Sequence, residues 1–543
     1  MLLTDHTMDN TQIALAVACG GFAFWFLCWR RSEGKRKFKK RIFGVADQPV
    51  VYNIKGGQGG PSLPGNVAKF AFRLVNSIVG RATLMKLFMR QANVIIFRDI
   101  LMEEHATMCP LIPWEGRNKG GDTGPLDLDS LMSSADERRE SDFRFKEIRD
   151  FYEGYRSAKF TPSDVAERAI SLIESSESMT PKLRAFIEYK PEEIRKAARE
   201  STKRFQDKKP LSVLDGIPIG VKDEVRVASH HMRLGSSYHG HTPSKKDCEA
   251  IRRLRACGAI ILGITNMQEN GMGTSGINVS KYHGTPRNPY NVNHFTGGSS
   301  SGSAAAVAAG LCPVAVGTDG GGSVRVPATM CGVVGLKPTF GRTSWHGSVI
   351  ASSSVGAIGP LCTTVRDAAI TYAAMAGPFP SDELTLAQPP VDLVGFDEKD
   401  LKGISLGIDW AFFKHADPEI VSSCEKAVQF LVSRGAQIVD IQIPEMEEAR
   451  VGHIITILSE MRQNLQEAFW NQFDEQYFEN ATLLSLIESM TITDFLQAQQ
   501  QKTRTIGFLK DIFKKVDVIL HPGEMTGGCW LFAPGMEMCC LGP

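Results

Sequence analysis

The chain predicts an α/β fold, with helices layered around a sheet buried on both faces, and three observations carry that prediction. Short apolar runs of strand length recur at residues 217–221, 259–264 and 314–316. Stretches with apolar residues at helical spacing alternate with them. Two Gly/Ser-rich loops, residues 296–303 and 317–323, stand at the junctions between strand and helix. Strands that read as continuous apolar runs and alternate with helices belong to sheets covered on both sides.

In order along the chain, the first element is the apolar run from Ile13 to Trp29. It lies near the lower limit of the roughly 17–25 residues that a membrane-spanning helix needs. Asp5 and Asp9 precede it, and Arg30, Arg31, Lys35, Arg36, Lys37, Lys39, Lys40 and Arg41 follow. Basic residues stay on the cytosolic side, so the expectation is an N-terminal transmembrane anchor over residues 1–45 with everything after Arg30 in the cytosol, at the endoplasmic reticulum or plasma membrane. A cleaved signal or a buried hairpin is the alternative. The basic cluster would also favour anionic lipid head groups.

Residues 46–140 differ in character. A Gly/Pro linker at residues 56–65 leads to Val67, Phe70, Ala71, Leu74, Val75 and Ile78 at helical spacing, then to a second such segment ending at Arg90 with Leu84, Leu87 and Phe88. This amphipathic pair, Val67 to Arg90, either lies in a membrane interface or packs on the catalytic domain. Residues 118–140 read as a solvated linker. The core, residues 141–522, begins with helices at 147–157, 161–175 and 191–203, the second opened by Thr161 as a cap with Pro162 in the first turn. A strand at 217–221, a helix at 248–257, a strand at 259–264, an Ala-rich helix after the first Gly/Ser loop and a strand at 314–316 follow. Strands are also expected at 401–413, 436–443 and 516–520, with helices at 418–434, 448–471 and 492–515. Residues 523–543 form a divergent tail rich in Gly, Met and Cys.

Composition narrows the function. A formal net charge of +1 over 543 residues gives no general attraction to nucleic acid. The 12 cysteines lack metal-ligand spacing, which predicts a reducing compartment, no structural metal and no cofactor.

The chemistry concentrates at Thr296 to Arg325. Successive glycines let several backbone N–H groups converge on one place and form an oxyanion hole or an anion site. A phosphate-binding P-loop would end in Gly-Lys-Ser/Thr, and Ser323 is followed by Val324 and Arg325 instead. Gly298-Ser299-Ser300-Ser301-Gly302 matches a nucleophile elbow, but the residues before it are too polar for a buried strand. The remaining reading makes Ser323 the nucleophile beside backbone donors at Gly320, Gly321 and Gly322, with Ser299 as its hydrogen-bond partner. Lys222, where a buried strand ends, is the candidate base, because desolvation lowers a lysine's pKa and leaves a neutral amine able to take a proton.

These residues resemble the amidase signature family, whose hallmark is a Ser–cis-Ser–Lys triad. The resemblance runs from about Ser141 to about Pro522, and residues 272–276, 297–312 and 317–325 are most similar to plant-type fatty acid amide hydrolases. It implies Ser323 as nucleophile, Ser299 as the cis-serine bridge and Lys222 as base, in a large mixed twisted sheet surrounded by helices. Met272, Thr274 and Ser275 line the acyl site in this reading. Ser300 and Thr318 hydrogen-bond the bridge and base, and Asp319 pairs with Arg325 to hold the Gly-rich loop. Because fatty acid amide hydrolases are monotopic membrane enzymes, the resemblance also implies a lipid amide substrate such as an N-acylethanolamine, a membrane-associated extension and a homodimer. The rivals are an amidase of small amides such as indoleacetamide or amino-acid amides, a glutaminase subunit, and an inactive amidase-like receptor or truncated variant.

Overall fold

The computed structural model describes residues 39–40, 70, 73–91, 93–108, 145–273, 276–278, 283–349, 352–393 and 395–523. The apolar run at 13–29, Thr274, Ser275 and nearly all of the tail lie outside them. Among the described residues no helix is long and apolar enough to cross a membrane.

The centre is a six-stranded mixed sheet. Its strands are β1 (Phe186–Tyr189), β2 (Pro218–Lys222), β3 (Ile260–Thr265), β4 (Val314–Asp319), β5 (Val334–Gly335) and β6 (Ala357–Cys362), in the spatial order β1-β3-β2-β4-β6-β5. β2 lies parallel between β3 and β4, while β1, β5 and β6 run antiparallel to their neighbours. Every residue of β2, β3, β4 and β6 is buried, as runs such as Ile260-Ile261-Leu262 require in a sheet with helices on both faces. Ile219 pairs with Val314 and Val221 with Val316. Lys222 and Thr318 therefore emerge side by side at the carboxyl ends of parallel strands, where open α/β sheets place their ligands.

The crossover from β3 to β4 contains the short helix Ser301–Ala308, every residue of which from Ser301 to Val307 is buried. Its small side chains let it sit directly on backbone: a Cβ on Gly302 would lie 2.4 Å from both the Ala185 carbonyl oxygen and the Asn266 nitrogen. Ser303 ties the same helix to the sheet, its hydroxyl 2.7 Å from that of Thr265 and donating to the Val316 carbonyl at 3.2 Å. Thr161 caps the helix Pro162–Ser178 with Pro162 in its first turn.

The described residues hold two smaller sheets beside the mixed one, the lesser pairing Lys39–Lys40 with Ile100–Leu101. Strands β7 (Ser405–Ile408), β8 (Gln437–Asp440) and β9 (Val518–Ile519) form a separate three-stranded parallel sheet in the order β8-β7-β9. The strand expected at 401–413 stops at Ile408. Asp409 accepts from the amides of Ala411 and Phe412 at 3.1 and 3.2 Å and turns residues 410–413 into a helix. The helix expected at 448–471 likewise breaks at Leu465.

A helical layer covers one end of the molecule: α1 (Met446–Asn464), α2 (Phe478–Glu488) and α3 (Ile492–Ile512). Of the two fates open to the amphipathic segment, packing on protein is observed over the helix Leu84–Gln91. In the helix Leu84–Gln91, Met85 and Met89 are buried in one cluster with Leu486 of α2, while Phe70, Leu74 and Val79 remain exposed. Residues 93–108 continue along α3. Arg98 forms a two-armed ion pair with Asp494 at 2.7 and 2.6 Å, and Gln500 donates to the Glu104 carbonyl at 2.7 Å. Burial of a methionine in such a cluster stabilises by about 1.5–3 kcal/mol, which favours packing on protein over exposure.

Candidate active site

Three chain segments converge at the carboxyl ends of β2 and β4. β2 delivers Lys222, which is fully buried. The turn before helix Ser301–Ala308 delivers Ser299, and the peptide bond between Gly298 and Ser299 is cis. The turn after β4 delivers Ser323 ahead of the helix Arg325–Met330. Lys222 Nζ lies 2.8 Å from Ser299 Oγ and 2.5 Å from Thr318 Oγ1. The two serine loops are joined through backbone, the Ser300 amide donating to the Ser323 carbonyl at 3.1 Å. Ser300 Oγ donates to the Thr318 carbonyl at 3.2 Å.

Asp319 organises the glycine loop. Its carboxylate accepts from the amides of Gly322 and Val324 at 2.8 and 3.0 Å and from both arms of the Arg325 guanidinium at 3.0 and 2.9 Å. Burial by itself would raise its pKa, but the Arg325 charge and these donors hold it well below the usual carboxylate range. The Gly322 amide, expected among the oxyanion donors, donates to Asp319 instead.

Burial pushes the Lys222 amine below its ordinary value, against the opposing pull of the Glu224 carboxylate. Glu224, which sequence reasoning missed, is buried. Its Oε2 lies 3.1 Å from Lys222 Nζ and accepts from Thr318 Oγ1 at 2.5 Å. It stands two residues after Lys222, past the end of the apolar run, and carried no periodic signal.

Ser299, Thr318, Gly320 and Ser323 open on a cavity of about 20 Å³ that Glu224, Trp345, Ser352, Ile457 and Met461 also line. Ile457 and Met461 come from α1, an element with no motif of its own. From the same helix, His453 presents a buried Nε2 without a hydrogen-bond partner among the described residues. A Cβ on Gly321 would lie 3.1 Å from that nitrogen. Met272 does not line the cavity. Its side chain is buried one layer behind, in the cluster that holds Met461, Leu458 and Phe469. Thr274 and Ser275 lie outside the described residues.

Nothing in the arrangement resembles a metal centre: among the described residues no group of three His, Cys, Asp or Glu could hold an ion. Chemically, the constellation offers a buried amine, a hydroxyl in contact with it, a second hydroxyl on the same cavity, and backbone amides beside that second hydroxyl.

Comparison with known proteins points the same way. The Amidase family profile matches residues 169–527. A "Fatty acid amide hydrolase" of Medicago truncatula is 41% identical over 394 residues, 71% of this chain and 65% of the relative. Its counterpart of the same name in Arabidopsis thaliana is 35% identical over 515 residues, 90% of this chain and 84% of the relative. The chain thus spans a little under two thirds of the length of the Medicago protein. Among solved structures, the native peptide amidase from Stenotrophomonas maltophilia superposes with a TM-score of 0.62 at 27% identity, covering 69% of this chain and 83% of that one.

Proposed function

The chain belongs to the amidase signature family, and from that premise we propose that it is a serine amidohydrolase that cleaves fatty acid amides, N-acylethanolamines among them, to a free fatty acid and an amine. The observation that carries the reading is the contact of buried Lys222 with Ser299 on the cavity where Ser323 opens.

In the proposed reaction, neutral Lys222 takes the Ser299 proton as Ser299 takes that of Ser323, and Ser323 Oγ attacks the amide carbonyl. The oxyanion forms against the amides of Gly320, Gly321 and Ser323, each worth about 3–4 kcal/mol in comparable sites. The proton returns through Ser299 to the leaving nitrogen, and water then hydrolyses the acyl ester. The names of the plant relatives and the apolar wall of Ile457 and Met461 support a lipid acyl chain. The size of the cavity, about 20 Å³ and room for little more than one water, favours a second reading in which the substrate is a small amide. Long chains require Ile457 and Met461 to move aside. A membrane location with the catalytic domain facing the cytosol is also proposed, on the apolar run at 13–29 and its basic flank.

The test is labelling of the full chain by a lipid-like fluorophosphonate, beside Ser323→Ala and Lys222→Ala. Labelling that disappears in the first variant and slows strongly in the second supports the reading. A folded wild-type chain that does not label sinks it. Turnover of amides of graded acyl length then decides between lipid and small substrates.

A further inference from the structure

The Lys222 amine has more acceptors around it than a passive ion pair would need. Ser299 Oγ lies at 2.8 Å, Thr318 Oγ1 at 2.5 Å, Glu224 Oε2 at 3.1 Å and the Thr318 carbonyl at 3.4 Å. An ammonium has three hydrogens and no lone pair; a neutral amine has two hydrogens and one lone pair. With the lone pair turned to the Ser299 hydroxyl, the two hydrogens meet Glu224 Oε2 and Thr318 Oγ1. The Thr318 hydroxyl then donates to Glu224 at 2.5 Å. Every group has a partner in that arrangement, and a lone pair turned to Ser299 is what lets Lys222 receive its proton.

We propose that Lys222 and Glu224 act as one base, with Glu224 the terminal holder of the proton that leaves Ser323. The proposal rests on the amidohydrolase reading above and extends it. In acylation the Ser323 proton passes to Ser299 Oγ, the Ser299 proton to Lys222 Nζ, and an Nζ proton to Glu224 Oε2. The Ser323 Oγ–carbonyl carbon bond forms as Glu224 becomes a neutral carboxylic acid. The same path in reverse delivers one proton to the leaving nitrogen as its bond to carbon breaks, so the sequence balances without any further reactant.

Two other carboxylates bear on Lys222, Asp319 and Asp223, and both are committed elsewhere. Asp319 is held by Arg325 and backbone amides. Asp223 accepts from the amides of Arg233 and Gly235 at 2.7 and 2.8 Å. Glu224 is the carboxylate within 4 Å of Nζ among the described residues. It is also on the wall of the cavity, so its proton is exchanged where the reaction takes place.

The experiment measures the fluorophosphonate labelling rate against pH for the full chain, Glu224→Gln and Glu224→Asp. Expected for Glu224→Gln is a plateau rate lower by about 100-fold, the usual worth of a positioned proton acceptor, with Glu224→Asp recovering at least a tenth of the wild-type rate. A Glu224→Gln plateau equal to that of wild type, with the inflection merely moved to lower pH, overturns the proposal and leaves Glu224 as a counter-ion. Wild type that does not label indicts the amidohydrolase reading itself, a separate outcome.

Discussion

Asp319 and Arg325 close a ring around the glycine turn, two charge-assisted hydrogen bonds of 3.0 and 2.9 Å joining their side chains across the residues that carry Ser323. Both are buried, and the Asp319 carboxylate also fixes the amides of Gly322 and Val324. Removing one partner of such a pair strands a buried charge at a cost of about 3–5 kcal/mol. Asp319→Asn is therefore expected to lower the unfolding free energy by that order and to depress labelling at Ser323. Asp319→Asn with Arg325→Met should lose less than the sum of the two single variants. Additive losses in chemical denaturation would show that the two residues do not act together.

The pH dependence follows from Lys222. Only the neutral amine accepts a proton, and burial shifts its deprotonation below the ordinary lysine value of 10.5. Labelling should rise with pH through an inflection below that value and level off above it, activity being lost as pH falls and the ammonium form accumulates. Lys222→Arg should not restore the rate, since a guanidinium stays charged at all these pH values. A flat profile with chemistry rate-limiting would count against Lys222 as base.

Gly320 lies between the nucleophile turn and α1. A Cβ there would stand 2.7 Å from Ser352 Oγ and 3.0 Å from Ile457 Cδ1, so Gly320→Ala must displace either those two cavity-lining side chains or the loop itself. Displacement of reacting groups by about 1 Å can cost roughly 100-fold in rate, while overpacking costs stability only about 1–3 kcal/mol. Expected is a kcat loss of that order with the fold retained, read by steady-state kinetics and a thermal melt. Unchanged kcat would show that the Gly320 amide is not held where an oxyanion forms.

What the sequence disclosed depended on whether a residue's role was local. Pro218–Lys222, Ile260–Thr265 and Val314–Asp319 are legible because strands buried on both faces leave unbroken apolar runs. Lys222, Ser299 and Ser323 stand out because glycines and a strand end mark them. The edge strand Phe186–Tyr189 carries Glu188, and Ala357–Cys362 is interrupted by Gly359 and Pro360, so neither shows the pattern. His453, Ile457 and Met461 reach the site through tertiary packing, which leaves no mark at their own positions, and Glu224 follows Lys222 without any glycine or apolar pattern to mark it. The two fates left open for residues 67–90 could not be told apart from the pattern, because an amphipathic face is the same whether lipid or Leu486 covers it.

Asp367 gives a prediction that concerns stability alone. It is buried near the start of the helix Val365–Met375, where Oδ1 accepts from the Ile148 amide at 3.2 Å and Oδ2 from the Thr363 hydroxyl at 2.8 Å. Burial outweighs these donors and raises its pKa from 3.8 to about 7. A raised folded-state pKa means that the native chain binds a proton the unfolded chain releases, so the stabilisation is complete below pH 3.8 and is lost as pH rises towards 7. A shift of that size corresponds to a few kcal/mol at most. Asn at this position keeps an acceptor for the Ile148 amide and turns an amide towards the Thr363 hydroxyl, which can accept. Asp367→Asn should therefore flatten this part of the pH dependence, gaining on wild type as pH rises from 4 to 8. Parallel curves of unfolding free energy against pH for the two chains would show that Asp367 titrates normally in the fold.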